Sequence, residues 1–318
     1  MGNGQFKQDY ISERSLGEHI DLFNMMVLVL YTFVMVFIID LTVNGQMPTD
    51  NFLFGTTTQN IIWFQRGTTE WVKQHKQPST TAINFTHTFH GVHGTAYFHS
   101  RNYLVFSDTG AKSIFISNVN NNKYVFAYVG TSSSVGHLTV DWLSGNVYWC
   151  DGSFGWIGML PLPATTDNAP VNNKFKVVVD KYLDIPAGIA IAPSHEWIFW
   201  TDIGRQPKIE RSKLDGTNRN VLVLHGLMKP VSITIDSTTF DLYWTDPVRG
   251  TIESCDFYGN NRKVFRTDVN RKYYGIEILK VYYNAVYTKG GEGNVMFSFI
   301  LIPCNQTNKQ PYVFVCES

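Results

Sequence analysis

The sequence predicts an all-β protein, a six-bladed β-propeller preceded by one N-terminal hydrophobic helix. Three observations lead there. An aromatic hexapeptide recurs at the spacing of one four-stranded blade, a fixed order of strands and turns fills the intervals, and one long apolar run stands apart from the repeats. Composition agrees with strands and turns. Of 318 residues, 14% are aromatic and only 16% charged, against roughly 25% charged in an ordinary globular chain. So apolar a chain can bury a core, which excludes wholesale disorder. Its 26 basic and 26 acidic side chains balance, and the absence of a basic excess argues against nucleic acid, whose phosphates call for one.

The first element is the apolar run. Met25 to Ile39 contains no charge and is closed by Asp40. As a helix it spans roughly 22 Å, short of the ~30 Å hydrocarbon core, and extending it to Val43 makes up most of the difference. Lys7 and Arg14 precede it, and no Lys or Arg follows until Arg66. That asymmetry places the N-terminus in the cytoplasm and the rest outside. The sequence therefore divides into a cytoplasmic or leader segment (1–24), a signal-anchor helix (25–43) that holds the chain to the membrane, and a propeller (51–317). Cleavage near Val43-Asn44-Gly45, giving a secreted protein, is the competing reading of the same run.

The repeats come next. Asn146-Val147-Tyr148-Trp149-Cys150-Asp151 returns as Trp197-Ile198-Phe199-Trp200-Thr201-Asp202 and again as Asp241-Leu242-Tyr243-Trp244-Thr245-Asp246. The tryptophans are 51 and 44 residues apart. Weaker copies are Tyr103 to Asp108, with Phe106 in the Trp position, Ala285 to Lys289, and Asn51 to Thr56. Six copies at this period match a propeller of four-stranded blades. Within a repeat, an apolar strand such as Leu138 to Trp142 or Gly188 to Ala192 comes first. A tight turn leads to the aromatic strand. A third strand such as Ile209 to Ser212 follows, then a turn such as Leu214-Asp215-Gly216, and an outer strand such as Val221 to Val223. Trp149, Trp200 and Trp244 are read as core, and Asp108, Asp151, Asp202 and Asp246 as buried carboxylates in need of amide or Arg donors. The first copy begins at its aromatic strand, so the ring is expected to borrow an inner strand from Tyr312 to Val315.

Tyr243-Trp244-Thr245-Asp246 is a literal YWTD, and together with Val140-Asp141-Trp142 and Leu214-Asp215-Gly216 it resembles the low-density lipoprotein receptor class B repeat. The resemblance implies a six-bladed YWTD-type propeller that binds an extracellular protein ligand, without catalysis and without a cofactor, in uptake, adhesion or signalling. The chain departs from that family in having four cysteines, too few for the cysteine-rich and EGF-like modules that usually accompany such propellers, and in an apolar run that is N-terminal. The alternative is a calcium-dependent lactonase or strictosidine-synthase-like hydrolase, also six-bladed. It would need several oxygen ligands converging from inner strands, where Asp141, Asp236 and Glu277 are the candidates.

Local features complete the reading. Asn84-Phe85-Thr86 and Asn305-Gln306-Thr307 are sequons for N-glycosylation. Cys304 and Cys316 are spaced for a disulfide around the second sequon, while Cys150 and Cys255 lie in strand-like runs as buried thiols. His75, His87, His90, His93 and His99 cluster; His87, His90, His93 and His99 are candidate acid sensors, against a plain solvated loop. No Cys/His pattern suggests a metal. Arg211-Ser212-Lys213 and Arg262-Lys263 read as solvated edges.

Overall fold

The computed structural model describes residues 89–118, 123–164, 174–236 and 239–279, with backbone strands at 35–38, 51–56, 61–66, 80–82, 302–303 and 312–317. Six antiparallel sheets follow one another along the chain. Blade one holds β1 (Met35–Ile38), β2 (Asn51–Thr56), β3 (Ile61–Arg66) and β4 (Thr80–Ala82). Blade two holds β5 (Val92–Phe98), β6 (Tyr103–Asp108), β7 (Ser113–Asn118) and β8 (Lys123–Val129). Blade three holds β9 (Val135–Asp141), β10 (Asn146–Asp151), β11 (Trp156–Pro161) and β12 (Lys176–Val179). Blade four holds β13 (Pro186–Ala192), β14 (Trp197–Asp202), β15 (Lys208–Lys213) and β16 (Asn220–Val223). Blade five holds β17 (Ser232–Asp236), β18 (Asp241–Asp246), β19 (Thr251–Asp256) and β20 (Lys263–Thr267), and blade six holds β21 (Tyr273–Leu279), β22 (Ile302–Pro303) and β23 (Tyr312–Glu317). The inner strands β1, β5, β9, β13, β17 and β21 touch in that order, and β21 meets β1 to close the ring.

Register explains the hexapeptide. Trp149 pairs with Leu138, Trp200 with Ile189, Trp244 with Ile233, and Phe106 with Thr95, so all four hold one station in their blades. Successive strand residues point to opposite faces. Trp149 therefore packs backward with Val105, Ile116 and Tyr128 of blade two, while Tyr148 packs forward with Ile189, Ile198 and Trp200 of blade four. Phe199 and Trp244 are buried together in the same way between blades four and five, and Tyr243 packs with Tyr273 and Ile276 between five and six. All three tryptophans are fully buried. Each aromatic pair thus covers both neighbours, which is what a sheet with two apolar faces needs.

The turn glycines have a packing reason as well. Gly216 (φ +86°) and Gly259 (φ +83°) occupy the turn between third and fourth strands of blades four and five. A Cβ on Gly259 would stand 2.6 Å from the carbonyl oxygen of Leu222, in the outer strand of the preceding blade, and one on Gly216 would collide with the Val178 carbonyl in the same way. Left-handed backbone and close approach select glycine together.

One expectation is corrected. The inner strand of blade one is Met35–Ile38, which pairs antiparallel with β2, whereas Tyr312–Glu317 lies within blade six beside β21. Those four N-terminal residues fall inside the run read as a membrane helix. A short apolar run suits a buried strand as well as a helix, and periodicity does not separate the two. The rest of 25–43 lies outside the described residues, and among the described residues no helix is long and apolar enough to cross a membrane. The expected sixth aromatic strand at Ala285 to Lys289 also lies outside them.

Candidate functional site

Antiparallel order fixes where the loops go. Turns between second and third strands emerge at one end of the ring, together with the connections from blade to blade. The other two turns of each blade emerge at the opposite end. The first end, termed the connection face, is where the repeated aspartates act. Asp202 accepts the amides of Asp184 and Ile185, both at 2.9 Å, and of Gly204 at 3.0 Å. Asp246 accepts Met228, Lys229 and Arg249. Asp151 accepts Ser132 and Phe154, and Asp108 accepts His90, Gly110 and Ala111. The donors expected from sequence are therefore backbone amides. In each of blades two to five, one buried carboxylate ties the incoming connection to the local turn.

A second clamp holds the carbonyl side of the same connections. Arg219 pairs with buried Glu210 at 2.7 Å, lies over the Trp200 ring at 5.3 Å, and donates to the carbonyls of Lys181 and Tyr182. Arg262 repeats the pattern: Glu253 at 2.7 Å, Trp244 at 5.5 Å, and the carbonyls of His225 and Gly226. Arg262 is thus no solvated edge, and neither is Arg211. The latter is buried between the rings of Trp197 and Tyr258 and donates to the Phe257 carbonyl. Sequence reasoning passed over these clamps, although a Glu with an Arg nine residues on occurs in both blades. What the clamps present is apolar. Tyr182 is 87% exposed and held at φ +57°; Ile185, Phe154, Met228, Val248 and Val269 are exposed around the same end. A non-glycine residue in the left-handed region costs about 1–3 kcal/mol and persists where surroundings impose it.

The histidines separate. His93 and His137, from adjacent inner strands β5 and β9, approach with ring centroids 6.5 Å apart. His137 was not singled out from the sequence. It occupies the station that holds Gly94, Gly188 and Ser232 in other blades, and that mismatch was the available signal. Burial pushes its pKa down to about 3, with the His93 charge adding to the effect. His93 is open along the ring's axis yet packed in by the inner strands, and desolvation lowers its pKa too. His90 is exposed on the connection into blade two. His99 lies in a short 3-10 turn, and His75 and His87 lie outside the described residues, as do Asn84, Asn305 and Cys304; Cys316 lies in β23.

Other candidates settle simply. Cys150 and Cys255 are buried free thiols, pushed up by desolvation, Cys255 to about 12. Asp141 accepts the amides of Leu143 and Ser144 at the far end of the ring. A cleft of about 400 Å³ opens there between blades three and four, lined by Asp141, Tyr148, Met159, Lys176, Leu214 and Asp215 among others. Among the described residues no group of three or more His, Cys, Asp or Glu is placed to hold a metal ion.

Comparison with known proteins gives this geometry a context. Residues 196–237 match the model of the low-density lipoprotein receptor repeat class B. The chain is 30% identical over 157 residues to the vitellogenin receptor of Solenopsis invicta, covering 49% of this chain and 8% of that protein. It is 41% identical over 80 residues to human low-density lipoprotein receptor-related protein 5, 25% of this chain and 5% of the relative. Protein cueball of Drosophila simulans is 30% identical over 143 residues, 43% of this chain and 21% of cueball. The chain therefore spans a small part of each of these relatives. A chain in the crystal structure of a nidogen/laminin complex superposes with a TM-score of 0.58 at 23% identity, covering 71% of this chain and 80% of that one. A gluconolactonase from Xanthomonas campestris superposes at 0.52 with 13% identity, covering 84% and 82%.

Proposed function

This chain is a member of the low-density lipoprotein receptor class B (YWTD) repeat family, and from that premise we propose that it is a non-enzymatic, extracellular protein-binding propeller whose ligand docks on the connection face. The carrying observation is Tyr182, exposed and left-handed on a connection whose amides are held by Asp202 and whose carbonyls are held by Arg219. Rigid presentation of large apolar side chains lowers the ordering cost of association, and aromatic anchors commonly carry interface energy. Receptors among the relatives, and a structural neighbour in a complex with laminin, support a recognition role. The receptors among the relatives support placement of the propeller outside the cytoplasm, and glycosylation at Asn84 and Asn305 belongs to the same reading.

The test is a binding screen of the full chain against a panel of extracellular proteins, repeated with Tyr182→Ala plus Met228→Ser. A saturable partner lost on that double substitution supports the proposal. A partner retained by it, or calcium-dependent turnover of lactones by the wild-type chain, overturns it. The hydrolase reading draws on the gluconolactonase likeness, which concerns the fold alone.

A further inference from the structure

The connection face is charged as well as apolar, although the chain as a whole is neutral. Four loops at that end carry an exposed lysine: Lys112 in the β6–β7 turn, and Lys181, Lys229 and Lys272 on the connections into blades four, five and six. The acids there are already engaged. The repeated aspartates accept amides inside the fold, Glu210 and Glu253 hold arginines, and Asp184 and Asp268 pair with Arg205 and Arg271. Among the described residues of these loops, Asp180 is the one carboxylate outside such a pair, against the four lysines. Three of the lysines sit within three residues of an exposed apolar side chain: Lys181 beside Tyr182, Lys229 beside Met228, Lys272 after Val269. A cation and an apolar group therefore lie together on the connections into blades four, five and six.

We propose that the partner of this face is an acidic protein segment that also carries apolar side chains, its carboxylates meeting the lysine ring while the apolar groups reach Tyr182, Ile185 and Met228. The proposal rests on the docking reading above and adds the chemistry of the partner. Charge complementarity is what favours an acidic segment: an apolar partner alone would leave four ammonium groups facing it, while a basic partner would be repelled. The spacing favours a protein chain over a lipid surface, because the apolar side chains are distributed among clamped loops instead of forming one continuous insertion.

Random-peptide display selected on the immobilised full chain tests this. Selected peptides are expected to be enriched in Asp and Glu together with Leu, Phe or Trp. Their binding should weaken tenfold or more with Lys181→Glu plus Lys229→Glu, weaken as salt shortens the Debye length below about 10 Å, and be unchanged by Leu143→Ser on the opposite end. Peptides that bind this face, as judged by Tyr182→Ala, but are neutral or basic and tolerate the charge reversal, overturn the acidic partner while leaving the docking face standing. Peptides sensitive to Leu143→Ser and indifferent to Tyr182→Ala, or no selection at all, remove both. Saturable binding to phosphatidylserine vesicles that is lost on charge reversal would replace the protein partner with an anionic membrane.

Discussion

Asp202→Asn isolates the work of the repeated carboxylate without changing its shape. The carboxylate is fully buried, with one oxygen accepting Ile185 and Gly204 and the other accepting Asp184. Asn keeps one acceptor and turns the other end into a donor facing an amide N–H. One charge-assisted bond is lost outright and two become neutral. Hydrogen bonds to charged groups contribute about 1.5–3 kcal/mol against about 1 for neutral pairs, and an unsatisfied buried amide adds a comparable loss. The expected destabilisation is about 3–5 kcal/mol in urea unfolding. Amide hydrogen exchange should show its origin: the Asp184, Ile185 and Gly204 amides lose protection well before the β14 ladder does, because the connection comes loose first. A destabilisation under about 1 kcal/mol, or exchange rising uniformly across blade four, would refute the staple.

Further outcomes follow from the same geometry. Trp149→Ala, Trp200→Ala and Trp244→Ala should each cost about 3–5 kcal/mol in denaturant melts, as expected for aromatic truncation in a core. Gly259→Ala should destabilise by more than the roughly 1–2 kcal/mol that left-handed backbone alone costs an L-residue, because the new methyl meets the Leu222 carbonyl at 2.6 Å; an unchanged urea midpoint would contradict the close approach. Acid should weaken the fold through His137. Its folded pKa lies near 3, below the unfolded 6.5, so the unfolded chain binds the proton more readily. Stability is full above about pH 6.5 and falls by about 1.4 kcal/mol per pH unit down to pH 3. His137→Asn should flatten that slope in pH-dependent unfolding.

The fold was legible because its signal is repeated. A hexapeptide recurring in register states the blade, and the exposed ends of each blade cannot hide that. Closure was not legible: Met35–Ile38 and Tyr312–Glu317 are both short apolar runs, and which one lies on the axis depends on pairing partners that no local pattern names. The histidines show the same limit. A cluster along the sequence, His87 to His99, pointed to one loop, whereas the pair that meets joins His93 to His137 across two blades, where burial is the main cause of the lowered pKa values.

The docking face was illegible for a deeper reason. Tyr182, Met228 and Lys229 lie in connections, whose sequences share no repeat. Their order comes from groups elsewhere: Asp202 and Asp246 in the aromatic strands, Arg219 and Arg262 at the starts of outer strands. The family motif thus encodes a frame that fixes backbone at the connections and leaves their side chains free to vary. Loosening the frame should then weaken binding even with every contacting side chain intact. Arg262→Met, which keeps an apolar stem over Trp244 but gives up the carbonyls of His225 and Gly226, supplies the case. Glu253 retains Arg249 at 2.6 Å, so its charge is not stranded. Partner affinity should fall mainly through faster association loss, as in an interface whose ordering cost has risen, with the chain still folded by circular dichroism. Unchanged affinity in a folded Arg262→Met chain would show that the connections present Met228 and Lys229 without help from the clamp.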